Sequence, residues 1–146
     1  VTVCELEYCS EEETREKLNG KDIVWVGGGA CGYLLYWMRR RRIDSYIKDI
    51  LESGSVYVGS SAGSMVAGHS INVVDWYPGE DEFGASVIPA LQLVNFDIFP
   101  HFNYREEYWD LIKEKFTGPK LFVLKDGEEV LVEGSSVRVI GEERIV

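Results

Sequence analysis

The stretch Ser55-Val56-Tyr57-Val58-Gly59-Ser60-Ser61-Ala62-Gly63-Ser64-Met65-Val66-Ala67 decides the fold. Its first four residues read as a strand and its last four as the first turn of a helix, with Gly-Ser-Ser-Ala-Gly between them. A serine at a tight turn from strand into helix has its hydroxyl exposed and a helix N-terminus beneath it, the arrangement of a nucleophile elbow. The pattern Gly-x-Ser-x-Gly is short, but chance copies seldom fall between a strand and a helix. Ser61 is therefore a candidate nucleophile.

Upstream, Asp22-Ile23-Val24-Trp25-Val26 is a short continuous apolar run that ends in Gly27-Gly28-Gly29. Such a run reads as a strand buried on both faces, which implies a parallel sheet. Helical segments over Tyr33 to Arg42 and Ile43 to Ser53, closed by Gly54, link it to the elbow strand. Before it, Val1 to Leu6 is β-rich, and Ser10 followed by Glu11, Glu12 and Glu13 opens a helix that ends near Asn19-Gly20.

Downstream, Asn72 to Pro89 is rich in Gly, Pro, Asp and Glu and reads as a long loop over the carboxyl edge of the sheet. Leu91 to Phe99 is strand-like and stops at Pro100-His101-Phe102-Asn103. Arg105 to Phe116 has helical spacing. Lys120 to Leu124 is another strand, ending at Lys125-Asp126-Gly127, and Glu129 to Glu133 with Ser136 to Ile140 form a closing antiparallel hairpin. The expected fold is a single α/β domain over residues 1–146, three-layered α/β/α, with a mostly parallel sheet and a C-terminal β-hairpin.

Composition narrows the function. A chain of 146 residues, 45% hydrophobic, suits one compact core. Its net charge of −10 argues against nucleic acid, since association with a polyanion would begin with repulsion. No apolar run reaches the length needed to cross a bilayer and no leader precedes a cleavage site, so a soluble, cytoplasmic protein is expected. Cys4, Cys9 and Cys31 have no metal-ligand spacing and read as small core residues in a reducing compartment. The chain starts at Val1, without methionine.

In an open α/β sheet, ligands gather beyond the carboxyl ends of the strands. Gly28-Gly29, Ser61, His101 and Asp126 all follow strands. Acyl transfer by serine needs a base, a carboxylate to orient it, and donors for the oxyanion. His69 lies eight residues beyond Ser61, roughly 12 Å along the same expected helix, too far to take the proton. His101 is the better base, with Asp126 to hold its tautomer. The Ala62 N–H and an N–H of Gly28 or Gly29 are the candidate oxyanion donors.

These motifs, in this order, resemble the peptidase E family of aspartyl dipeptidases, relatives of cyanophycinase with a sheet like that of class I glutamine amidotransferases. Val26-Gly27-Gly28-Gly29 resembles the family's glycine motif, Gly59-Ser60-Ser61-Ala62-Gly63 its nucleophile turn, Phe99-Pro100-His101-Phe102 its catalytic histidine, and Leu124-Lys125-Asp126-Gly127 its acid. The resemblance implies a serine peptidase that cleaves after an N-terminal aspartate in short peptides, with no metal or other cofactor. It also implies that Arg105 holds the substrate's aspartyl carboxylate, for which a guanidinium fork is well suited. Asp75 is a candidate partner for the substrate's free amino group. The chain departs from the best-known members at Asp126, where they have Glu, and at Ala30, where they have Asn. Family members carry further strand and helix units before the region matched by Val1, so the chain is expected to be either a fragment or a reduced form whose open flank another subunit covers, with association as a homodimer the favoured reading.

Other readings stay open on the sequence. The triad could serve a different amide or ester, or the chain could be a non-catalytic binding module on the same fold. Gly27-x-Gly29-x-x-Gly32 satisfies a dinucleotide-binding pattern, but the acidic residue that should end the next strand falls instead at Asp49, inside a helical segment. Arg39 to Arg42 reads as a solvated helix end, and Glu80-Asp81-Glu82 as an exposed loop.

Overall fold

The computed structural model describes residues 1–76 and 89–146, with the side chains of Asp75 and Trp76 outside that description. Three helices and two strands make up the first half: α1 (Glu11–Leu18), β1 (Ile23–Val26), α2 (Cys31–Arg40), α3 (Ile47–Glu52) and β2 (Val56–Gly59). The elbow helix α4 (Ala62–Val66) follows. Then come β3 (Asp97–Phe99), α5 (Trp109–Lys115), β4 (Leu121–Val123) and the hairpin strands β5 (Glu129–Glu133) and β6 (Ser136–Ile140).

Local signals account for most boundaries. The Ser10 hydroxyl accepts the Glu13 N–H while the Glu13 carboxylate accepts the Ser10 N–H, a complete capping box that starts α1. Arg42 adopts a left-handed conformation, φ 53°, and divides the helical stretch into α2 and, after a 3₁₀ turn at Ile43–Ser45, α3. The expected helix over Arg105 to Phe116 is likewise split, with a 3₁₀ turn at Glu106–Tyr108 before α5.

The fold is α/β, with its parallel pairing divided between two ladders. β1 pairs with β2 from Ile23↔Val56 to Val26↔Gly59, and β3 with β4 from Asp97↔Leu121 to Phe99↔Val123. β5 and β6 are antiparallel. The main core joins Val24 to Leu35 and Met38 of α2, Ile47 and Ile50 of α3, Met65 and Val66 of α4, Phe99, Ile112 of α5, and Leu121 and Val123. The period-2 alternation of β3 and β4 sends Ile98 and Phe122 to the other side, where with Phe96 and Leu124 they form a second cluster under Val130 and Val139 of the hairpin.

Four expectations change. Val1 to Leu6 forms no strand: among the described residues no ladder partner lies beside it, and its end is held by the Arg41 guanidinium, which donates to the Leu6 and Glu7 carbonyls. β1 is buried on one face only, since Ile23 and Trp25 are 58% and 69% exposed. Leu91 to Phe96 is not strand, because its backbone bonds with the segment leaving α4: the Leu91 and Leu93 N–H groups donate to Val66 and Ala67, and Phe96 accepts from His69. That same crossing ends α4 at Val66, so His69 lies beyond the helix rather than two turns along it. Of the expected loop from Asn72 to Pro89, Asn72–Trp76 forms a 3₁₀ turn. The rest of that loop, with Glu80-Asp81-Glu82, lies outside the described residues, as does the side chain of Asp75.

The C-terminus adds pairing that the sequence reading did not anticipate. Leu121 and Val146 exchange backbone hydrogen bonds at 2.8 and 3.0 Å, so the last residues run antiparallel to β4.

Candidate active site

The elbow is built by close backbone packing. Gly63 donates its N–H to the Gly27 and Ser60 carbonyls at 3.0 and 2.9 Å, and its carbonyl accepts the Tyr57 hydroxyl at 2.7 Å. Burial pushes the Tyr57 pKa up, which keeps that hydroxyl protonated and donating. Ser64 Oγ closes the turn on the Ser61 carbonyl at 2.6 Å. The result is a Ser61 backbone at φ 54°, ψ −120°, a conformation that costs on the order of 1–3 kcal/mol and lifts the side chain clear of the chain.

Ser61 thus stands at the end of β2, and its partners arrive from the other parallel ladder. β3 ends at Phe99 and Pro100, and His101 turns the chain through the left-handed region at φ 60°. β4 continues through Leu124, whose N–H donates to the Phe99 carbonyl and whose carbonyl accepts from Phe102, and Asp126 follows. These turns bring the three side chains into series. His101 Nε2 lies 2.8 Å from Ser61 Oγ, and His101 Nδ1 lies 2.6 Å from Asp126 Oδ1.

An ionised carboxylate only accepts, so Nδ1 carries the proton and Nε2 offers its lone pair to the Ser61 hydroxyl. The hydrogen bond from His101 is the main reason that the Asp126 carboxyl titrates below its usual range; desolvation opposes it, and smaller contributions come from the His101 charge and from hydrogen bonds of Asn103 and Tyr104. Asp126 therefore stays ionised at neutral pH although its side chain is 46% exposed.

Next to Ser61, Ala62 is the first residue of α4, where N–H groups have no intrahelical acceptor. Gly28 lies against Ser61: a Cβ built on it would sit 3.2 Å from Ser61 Cβ and 3.4 Å from its Oγ. Gly29, at φ 128°, takes a conformation that side chains disfavour. The glycine run therefore leaves the flank of the hydroxyl open. Arg105 follows in the same loop as His101, half-buried, and desolvation pulls its guanidinium pKa down. His69 is engaged elsewhere, its backbone bonded to Phe96 and Ala90 and its ring 3.5 Å from the Gln92 amide. No group of His, Cys, Asp or Glu among the described residues has the geometry of a metal site, and no described helix is long and apolar enough to cross a membrane.

Three supports were not read from the sequence. Asn103 contacts Asp126 with both ends of its amide; its place two residues past the histidine was the available signal. The buried Asp97 carboxylate accepts the Ser70 N–H and hydroxyl at 2.7 and 3.0 Å, tying the exit of α4 to β3. Arg144 grips both oxygens of Glu128 at 2.6 and 3.0 Å, just past the turn that carries Asp126.

The sequence profile of Peptidase family S51 matches residues 1–140. A protein named Peptidase E from Nostoc sp. is 29% identical over 144 residues, covering 92% of this chain and 58% of the relative. The Probable alpha-aspartyl dipeptidase of Drosophila melanogaster is 29% identical over 148 residues, covering 91% of this chain and 59% of its own length. A crystal structure from Listeria monocytogenes EGD-e that carries a peptidase E name shares the fold, at TM-score 0.81 and 23% identity over 94% of this chain and 68% of that one. The chain spans about three fifths of the length of these two curated relatives.

Proposed function

Because this chain belongs to peptidase family S51, we propose that it is a serine peptidase acting on short peptides, foremost dipeptides with an N-terminal aspartate. The observation that carries the reading is the continuous hydrogen-bonded series from Ser61 Oγ through the His101 imidazole to Asp126. The name of the Drosophila relative supports the choice of substrate, and that of the Nostoc relative supports peptidase activity.

In the proposed reaction, Ser61 Oγ attacks the scissile carbonyl as His101 Nε2 takes its proton, and Asp126 balances the imidazolium through Nδ1–H. The N–H groups of Ala62 and of Gly28 or Gly29 stabilise the oxyanion. His101 then gives the proton to the leaving amine, the C–N bond breaks, and an acyl-enzyme remains on Ser61. Water, deprotonated by the same imidazole, hydrolyses that ester and restores the hydroxyl. Arg105 is assigned to the aspartyl carboxylate of the substrate, and Asp75 to its ammonium.

The test is hydrolysis of a dipeptide panel and an Asp-anilide by the protein and by Ser61→Ala, together with labelling by a serine-directed phosphonate. Cleavage confined to the parent and labelling at Ser61 are expected, with Arg105→Ala losing the preference for aspartate. The reading falls if Asp-X substrates stay intact and the two proteins behave alike. Cleavage of other amides or esters with no Asp preference would move it to a serine hydrolase of different specificity.

A further inference from the structure

We propose that Asn103 is a positioning residue that fixes the Asp126 carboxylate against His101. The inference rests on the triad reading above and goes beyond it in naming what holds the acid.

Asp126 needs such a holder. It precedes Gly127, which adopts φ 85° in an exposed turn, and nearly half of its side chain is in solvent, so hydrogen bonds are what direct its carboxylate. Asn103 sits in the 3₁₀ turn Phe102–Tyr104, which is itself pinned to the end of β4 by the Phe102 N–H on the Leu124 carbonyl. From there Asn103 Oδ1 accepts the Asp126 backbone N–H at 3.0 Å, and Asn103 Nδ2 reaches Asp126 Oδ2 at 3.5 Å. The other carboxylate oxygen, Oδ1, takes His101. Each oxygen thus has its own donor, Tyr104 also donates to the carboxylate, all of these donors come from one short loop, and the backbone of Asp126 is clamped by the Asn103 amide that orients its side chain.

The residue type is specific to this task. An amide supplies an acceptor and a donor on one rigid plane; a carboxylate in its place keeps the acceptor but faces Asp126 with like charge, and a hydroxyl is too short to span both. The titratable and charged neighbours are His101 and Tyr104 from the same loop, and Lys125 and Glu128 from the facing turn. Lys125 is paired with Glu106, and Glu128 with Arg144.

The experiment compares the full chain with Asn103→Ala and Asn103→Asp, reading kcat and KM on an Asp-anilide and the titration of the Asp126 carboxyl carbon by NMR. Asn103→Ala is expected to lower kcat by about ten- to a hundredfold with KM little changed, as misplacement of a reacting group does, and to move the Asp126 titration up toward the ordinary carboxylate range. Asn103→Asp is expected to move it further up. Asn103→Ser, which keeps an acceptor and loses the reach to Oδ2, replaces the alanine variant should that one fail to fold, with the same upward movement expected. An Asp126 titration and kcat that match the parent in the variants overturn the proposal. Because the titration reads the clamp in a protein of any activity, an inert parent indistinguishable from Ser61→Ala would refute the peptidase reading and leave this measurement to decide on Asn103.

Discussion

Gly63 packs so tightly beneath the end of β1 that a Cβ built on it would overlap the carbonyl oxygen of Val26, while its own N–H donates to the next carbonyl, that of Gly27. Backbone on both sides leaves no flexible group to yield. Gly63→Ala is therefore expected to cost about 3 kcal/mol of stability and to push the elbow off its β1 support. Denaturant unfolding with the same m-value and a lower midpoint would show it.

Gly28 gives the opposite outcome with the same substitution. The atoms that a Cβ there would meet belong to Ser61 alone, and its φ lies outside the left-handed region. Gly28→Ala is expected to leave the thermal midpoint nearly unchanged while lowering kcat by roughly tenfold or more, through crowding of the hydroxyl and the oxyanion position. A drop in stability without loss of turnover would contradict the assignment of this flank to the substrate.

Asp126→Asn keeps the size of the side chain and removes its charge. Its amide can present a donor where the carboxylate accepted, which favours the wrong imidazole tautomer, so kcat is expected to fall on the order of 10³–10⁴-fold. The melting temperature should move little, because nearly half of the side chain is in solvent, which screens the lost charge. Equal losses of activity and stability would mean that Asp126 acts mainly as a structural turn residue.

Glu128 sets an acid limit on the fold. Chiefly through its two-pronged contact with Arg144, and further through the N–H groups of Lys125 and Glu142, its carboxyl is held down at about 2, against 4.5 for a free glutamate. A depressed folded value means that the stabilisation is complete above about pH 5 and is lost as pH falls toward 2. Glu128→Gln is expected to lower stability at neutral pH by about 2–3 kcal/mol and to flatten its pH dependence across that acid window. Equilibrium unfolding of both proteins at pH 7, 4 and 3 measures the difference.

Much of this was written locally in the chain. The elbow was readable because strand, small residues and helix occur within thirteen consecutive positions, and the hairpin over Glu129–Glu133 and Ser136–Ile140 was readable from its alternation. His101 and Asp126 were readable as residues that follow strands. What failed depends on partners distant in sequence. Val1 to Leu6 has the composition of a strand, but a strand exists only beside another edge, and among the described residues none lies alongside. Leu91 to Phe96 gave its backbone bonds to residues 66–69 instead of a ladder, a choice that no periodicity reports. Arg144 finds Glu128 across sixteen residues, and Asn103 looked like an ordinary turn residue until Asp126 folded over it.

Ser61 follows the β1–β2 ladder, whereas His101 and Asp126, its proposed base and acid, follow β3–β4, and among the described residues no strand pairing joins the two. Beyond the core they share, a backbone strap fastens them: residues 66–70 crossing residues 91–97, riveted by Ser70 on the buried Asp97. The 2.8 Å gap between Ser61 Oγ and His101 Nε2 is consequently a gauge of that seam. Gentle warming or low urea that slackens the strap would part hydroxyl from imidazole while both ladders stay whole, so turnover should vanish in advance of the cooperative melt.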